Sequence, residues 1–205
     1  MASVTTKQNA TAATVNVATG ITYAPMSNLV TGLTHGNGLI TSASYDQDYR
    51  LSTLSVANGA LAVSNLGYAY ADGINLTAIN DNVTSANSVA LGYTPANRLA
   101  SAIGPWGTES FSYDPVGNRL NDNLTSGAAT TATLATYDTL SNQLLNLTQN
   151  SSTWRTYAYD GAGNIITDTR PGQVYQFAYN NRNRPASVLL NGSAYAVYGY
   201  NALDQ

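Results

Sequence analysis

The sequence predicts an all-β protein made of tandem antiparallel β-hairpins of about 22 residues, joined into a continuous curved or spiralling sheet. Three observations over its 205 residues predict this. A tyrosine returns at a near-constant interval, a two-residue apolar alternation runs into each of those tyrosines, and turn-forming residues follow them at once.

The recurring tyrosines are Tyr23, Tyr45, Tyr70, Tyr93, Tyr113, Tyr137, Tyr159, Tyr179 and Tyr200. Two positions before them stand Ile21, Ala43, Tyr68, Leu91, Phe111, Ala135, Tyr157, Phe177 and Tyr198. Side chains two apart share a strand face, so each anchor continues an apolar edge. Five positions after the anchors stand Asn28, Arg50, Asn75, Arg98, Asn118, Asn142, Asn164, Arg184 and Gln205, all planar polar side chains. These are expected to bond the turn backbone of their own or the neighbouring hairpin. The residue just after the anchor is Asp46, Asp114, Asp138 or Asp160 in four units and Asn180 or Asn201 in two. Short acids and amides there bond the backbone two residues on and open a turn. Four positions after the anchor come Asn97, Gly117, Gly163, Asn183 and Asp204, residue types that accept positive φ cheaply. Tyr49 and Ile74 break this pattern, which predicts that their loops differ.

In chain order, residues 1–20 lie outside the repeats and are small, polar and loosely alternating. They are expected to be a tail, a cap or a strand donated to a neighbouring subunit. Residues 21–205 hold nine units, the last incomplete. Each reads as a strand ending at tyrosine, a turn of about four residues and a returning strand. The returning arms, such as "RLSTLSV", "RLASAI" and "NIITDT", are rich in Leu, Ile, Val and Thr, which suit strands. No 3.6-residue apolar stripe persists, which excludes extended helix.

The octet "YDPVGNRL", with "YAYDGAGNIITD", "FAYNNRNRPASV" and "YGYNALDQ", resembles the YD repeats of the Rhs family, found also in the BC shells of insecticidal toxin complexes and in teneurins. The resemblance covers about residues 21 to 205. It implies hairpins wound into a spiralling sheet that closes as a hollow shell, often around a toxic C-terminal segment. It also implies that this chain is a piece of such a sheet or a short relative. Nine units are few for a full shell, and the last stops inside its turn. The expectation is therefore a fragment, or a protomer whose open end something else completes. Sheet ends present unpaired backbone groups, so head-to-tail association of the chain with itself into a filament is expected too, as is union with the remainder of a larger shell.

Composition narrows function. Charged residues make up 9% of the chain, against about a quarter in ordinary domains, while apolar residues reach 43%. Eight Lys and Arg against eleven Asp and Glu leave no basic patch for nucleic acid. No apolar run is long enough for membrane insertion, and no leader is evident. The Thr, Ser, Asn, Gly and Tyr balance points to an extracellular or surface protein, and the absence of Cys removes disulfides and thiolate metal sites.

Candidate chemistry is sparse. His35 is the only histidine, and no third group is evident to orient it as a base. Glu109 is the only glutamate, and the turn register accounts for Asp46, Asp114, Asp138 and Asp160. The acidic loops offer one or two carboxylates each, too few for calcium. Asp114, Pro115 and Gly117 match the core of the self-cleaving aspartyl motif that the family resemblance brings to mind. Asn118 and Glu109 depart from that motif, and the match falls in phase with the other turns. No catalytic residue, metal or cofactor is expected. The reading is a non-enzymatic YD-repeat scaffold, exported or on the cell surface, forming shell or fibre. Its alternatives are a carrier fragment of a polymorphic Rhs-type toxin and a carbohydrate-binding adhesion module, with the tyrosine face as a possible glycan platform. Tyr159→Ala is expected to destabilise and Asp72→Ala to change little.

Overall fold

Alternating β-branched and apolar side chains favour extended backbone, and extended backbone leaves every N–H and C=O needing a neighbour. The chain meets that need with hairpin after hairpin. A computed structural model describes residues 3–7, 11–71 and 73–201. Eighteen strands account for most of these residues, and the only helical turn among them is a 3₁₀ turn at Ser85–Asn87. The protein divides into two units, Met1–Thr108 and Glu109–Gln205.

In the first unit the strands are β1 (Ser3–Thr6), β2 (Val15–Tyr23), β3 (Val30–His35), β4 (Ile40–Tyr45), β5 (Leu51–Asn58), β6 (Leu61–Ala71), β7 (Asn75–Asp81), β8 (Val89–Tyr93) and β9 (Leu99–Gly104). Each is antiparallel to the one before it in the chain. β1 therefore pairs with β2 of its own chain, Ser3 opposite Thr19 and Thr6 opposite Val15. β10 (Gly107–Tyr113) begins at the division.

The second unit continues with β11 (Arg119–Ser126), β12 (Ala129–Tyr137), β13 (Leu144–Gln149), β14 (Ser152–Tyr159), β15 (Ile165–Arg170), β16 (Gln173–Tyr179), β17 (Pro185–Leu190) and β18 (Ser193–Val197). From β11 to β18 each strand again pairs antiparallel with its successor.

The two ends of the hairpins differ. At one end lie two-residue turns such as Asn191-Gly192, with φ of 52° and 79°, and Asn150-Ser151, with φ of 48° and 67°. Left-handed pairs of this kind match the twist of the flanking strands. At the other end lie the longer loops that follow the recurring tyrosines. There the returning strand carries one extra residue just inside the loop: Tyr45 faces Leu51 while Ser44 faces Thr53, which leaves Ser52 bulged. The same step leaves Thr77, Ala100, Leu145, Ile166 and Ala186 bulged opposite their anchors. Bulges raise local twist and re-aim side chains, and here they recur with the repeat.

Among the described residues no second layer stacks on the strands within either unit, and the substantial contacts join chain neighbours. The only buried side chains among the described residues are Ala102, Val188 and Asp168. Burial is instead shared out as half-covered side chains on the sheet faces, and large apolar groups such as Leu61, Ile74, Val116 and Leu140 remain mostly exposed.

Candidate functional site

The loops after the anchors share one construction. Asp160 Oδ1 accepts the N–H groups of Ala162 and Asn164, each at 2.9 Å, while Oδ2 accepts the Asn164 side-chain amide at 2.9 Å. Asp114 does the same for Gly117 N–H, Asn118 N–H and Asn118 Nδ2, at 2.7, 2.8 and 2.8 Å. Asp46 serves Asp48 N–H, Arg50 N–H and Arg50 Nε at 2.9, 2.9 and 2.7 Å. Asn180 Oδ1 accepts from Arg182 and Arg184 N–H, and Thr94 Oγ1 accepts from Arg98 N–H, so an amide or a hydroxyl can substitute.

These donors depress the acids. The Asn164 side-chain amide, then its backbone N–H, hold the Asp160 carboxyl below the usual carboxylate range. Leu140 and Ser141 N–H groups do so for Asp138. At Asp46 and Asp114 burial pushes the other way and is outweighed by hydrogen bonds from Arg50 and Asn118.

Each loop needs one left-handed residue. Asn97, Gly117, Gly163 and Asn183 fill that place, and so does Tyr49 at φ 59°, despite its side chain. Tyr49 therefore keeps the common backbone path. The Tyr70 loop does depart from it, because Gly73 rather than Ile74 takes positive φ. Two other loops are one residue longer: Ala24 N–H reaches Leu29 C=O and Asp138 N–H reaches Gln143 C=O, where Asp46 N–H reaches Arg50 C=O. Asn28 and Asn142 thus stand one place before the position that Arg50 and Asn164 occupy. Asn142 is the left-handed residue of its loop, at φ 57°. Gln205 and Asp204 lie outside the described residues, as does Asp72.

The anchors connect one hairpin to the one before it. Tyr45 Oη donates to Val30 C=O at 3.0 Å, Tyr70 to Leu51 at 3.0 Å and Tyr93 to Leu76 at 2.9 Å. In the second unit Tyr137 donates to Arg119 C=O at 3.1 Å, Tyr159 to Leu144 at 2.9 Å, Tyr179 to Ile165 at 2.9 Å and Tyr200 to Pro185 at 2.8 Å. Val30, Leu51, Leu76, Leu144, Ile165 and Pro185 are the residues that face the preceding anchor across its own hairpin. Tyr23 faces Val30 and supplies the first such position. Tyr113 ends β10.

The polar residues five positions on make a second lateral series, along the loops. Asn75 Nδ2 donates to Asn97 Oδ1 at 2.7 Å, Asn118 Nδ2 to Asn142 Oδ1 at 3.2 Å and Asn164 Nδ2 to Asn183 Oδ1 at 3.2 Å. In every case the acceptor is the left-handed residue of the next loop. Arg50 Nη1 likewise donates to Gly73 C=O, and its guanidinium lies 4.8 Å over the Tyr70 ring. Arg184 lies 5.5 Å over the Tyr200 ring.

One cluster lies outside these series. Asp168, 3% exposed in the middle of β15, takes Arg155 Nε and Nη2 at 2.7 and 2.5 Å and Arg170 Nη2 at 2.8 Å. Arg155 lies over Tyr157 and Arg170 over Tyr175, the residues paired with Asp168 on either side. Burial raises the Asp168 pKa, and the two arginines overcome it and hold the carboxyl at about 2. Sequence reading assigned the aspartates to turns and missed this one. Its signal is an acid inside the β-branched, strand-forming stretch "IITDT", with an arginine two residues on, hence on the same face.

The sequence candidates for chemistry are occupied by local bonds. His35 Nε2 is 2.8 Å from Thr41 Oγ1, and both Asp114 carboxylate oxygens serve the loop of which they are part.

No protein-family profile and no curated protein matches the chain. Solved structures do. The chain is similar to a TcdB2–TccC3 crystal structure at 16% identity and a TM-score of 0.60, over 89% of this chain and 12% of that one. A TcdB2–TccC3–TEV structure aligns at 16% identity and a TM-score of 0.59, over 87% of this chain and 11% of that one. The Photorhabdus luminescens Tc holotoxin pore carrying a TccC3 mutation aligns at 15% identity and a TM-score of 0.52, over 88% of this chain and 13% of that one. This chain spans about an eighth of the length of the solved chains it matches. Its fold is that of segments of these toxin-complex proteins, the class to which the YD-type octets pointed.

Proposed function

We propose that this chain is a non-enzymatic YD-repeat scaffold, exported or at the cell surface, whose hairpins supply the wall of a shell or fibre. Its partners are further copies of itself or the remainder of a larger shell. One observation carries the reading: seven of the nine anchor phenols, those of Tyr45, Tyr70, Tyr93, Tyr137, Tyr159, Tyr179 and Tyr200, donate their hydroxyl to the backbone of the preceding hairpin. These bonds occupy the O–H donors that a tyrosine platform would otherwise offer to a ligand. The loop polar residues are engaged sideways in the same manner, which supports a structural role for both series.

The similarity to toxin-complex chains favours, as a second reading, a carrier segment of a toxin shell. Negative-stain microscopy of the purified chain separates the two. Filaments are expected if copies add head to tail, and discrete particles if the chain is shell wall that needs other segments. Among the described residues of its unit β18 pairs with β17 alone, and Val197 on it is 80% exposed. A lysine there places charge on the strand and is expected to abolish filaments while leaving the hairpins folded. Soluble, well-folded monomer at high concentration without either assembly would count against the scaffold.

A further inference from the structure

The second unit holds a cleft of about 430 Å³ on one face of β11 to β14, within the size range of ordinary small-ligand sites. Three of its lining residues, Tyr137, Arg119 and Leu144, belong to the tyrosine hydroxyl series, but the polar row and the indole described next do not, and neither the scaffold reading nor the carrier reading uses them. Asp122, Thr133 and Gln149 form a row across its floor, since Asp122 faces Thr133 and Thr133 faces Gln149. Leu120 and Leu147 lie beside that row.

The wall is Trp154, and the reason it stands there is a register step. Leu147 pairs with Arg155 and Thr148 with Thr153, which leaves Trp154 as the extra residue of a bulge. Bulges re-aim side chains, and this one sets an indole against the polar row. Trp154 is 41% exposed, and it is one of only two tryptophans in the chain.

We propose that this cleft binds a neutral saccharide. An aromatic face beside a row of carboxylate, hydroxyl and amide groups matches a pyranose, which has an apolar C–H face and a rim of hydroxyls. Other ligand classes fit worse. Arg119 is already bonded to Asp122 at 3.4 Å, and Glu109 adds a second acid to the lining, so the site is unsuited to phosphates and other anions. A purely apolar ligand would strip water from Asp122, Thr133 and Gln149 without replacing their hydrogen bonds. A peptide strand finds no free main chain, because β12 and β13 are paired on both sides. The proposal is independent of assembly and stands or falls separately from the scaffold reading.

The test uses the full chain carrying Trp106→Phe, so that Trp154 is the sole indole. Its emission is followed during titration with cellotetraose, maltotetraose and chitotetraose, and the same protein is applied to an immobilised array of neutral glycans. A saturable emission change with at least one sugar is expected. Trp154→Ala should weaken retention about tenfold or more, and Gln149→Ala less, with the far-ultraviolet circular dichroism unchanged. If Trp154→Ala fails to fold, Thr133→Val decides in its place, because it removes a hydroxyl at constant shape. Absence of any saturable response together with an empty array overturns the proposal. So does retention that survives all three substitutions.

Discussion

Tyr159 shows what a single anchor contributes. It is half-buried, and its hydroxyl donates to Leu144 C=O at 2.9 Å. Tyr159→Phe removes that bond and leaves the carbonyl without its phenol, so it should cost about 1 kcal/mol in urea unfolding. Tyr159→Ala also removes the ring and should cost about 3 kcal/mol. Equal losses for the two substitutions would mean that the ring packs against nothing. Asp168 makes a different kind of contribution. Its folded pKa is about 2, below the ordinary 3.8, so the carboxylate stabilises the fold at neutral pH by about 2 kcal/mol. That contribution is complete above about pH 4 and disappears as the pH falls through 2. Asp168→Asn should lower stability at pH 7 by about 3 kcal/mol, since two guanidiniums lose their carboxylate, and should flatten the acid limb of a pH–stability curve between those values. An unchanged acid limb would show that Asp168 does not govern it.

At the scale of the hairpin, the loop fixes the register and one residue fixes the loop. Gly163 sits at φ 86° with only ordinary contact available to an added Cβ, from Gln143 Nε2 at 3.7 Å. Gly163→Ala should therefore cost about 1 kcal/mol through backbone strain alone, measured by thermal melting. Gly161→Ala, in open space and without positive φ, is the control and should change little. Much of this construction was legible in the sequence. Tyrosine spacing gave the hairpins, and the acid after each tyrosine gave the turn, because both depend on local chemistry. The one-residue extensions after Tyr23 and Tyr137 were not legible: "SNLV" and "SNQLL" each offer polar residues at adjacent positions, and only the closing hydrogen bond, to Leu29 or Gln143 C=O, marks where the loop ends. Tyr49 was misleading for a related reason. A residue disfavoured at positive φ is held there while its hydroxyl reaches Pro25 C=O at 3.4 Å in the neighbouring loop. In the Arg155–Asp168–Arg170 cluster the Asp168–Arg170 spacing is a local signal, whereas Arg155 was hidden because it comes from the neighbouring strand.

Across the whole molecule, the eighteen strands place most contacts between chain neighbours, and almost no side chain is fully removed from water. Stability in such an array is a sum of hairpin terms and neighbour terms. Deleting terminal hairpins one at a time from the C-terminal side should therefore lower the urea midpoint in small steps. Abrupt loss on removal of the last hairpin would instead indicate one cooperative core. The hydroxyl series adds a direction to that array. Each acceptor carbonyl belongs to the earlier hairpin and each donor to the later one, so during synthesis each of these seven phenols follows the strand that carries its acceptor. The bonds of this array thus run in the order of synthesis, and in a circularly permuted order the donor placed ahead of its acceptor would have to wait for a strand not yet translated.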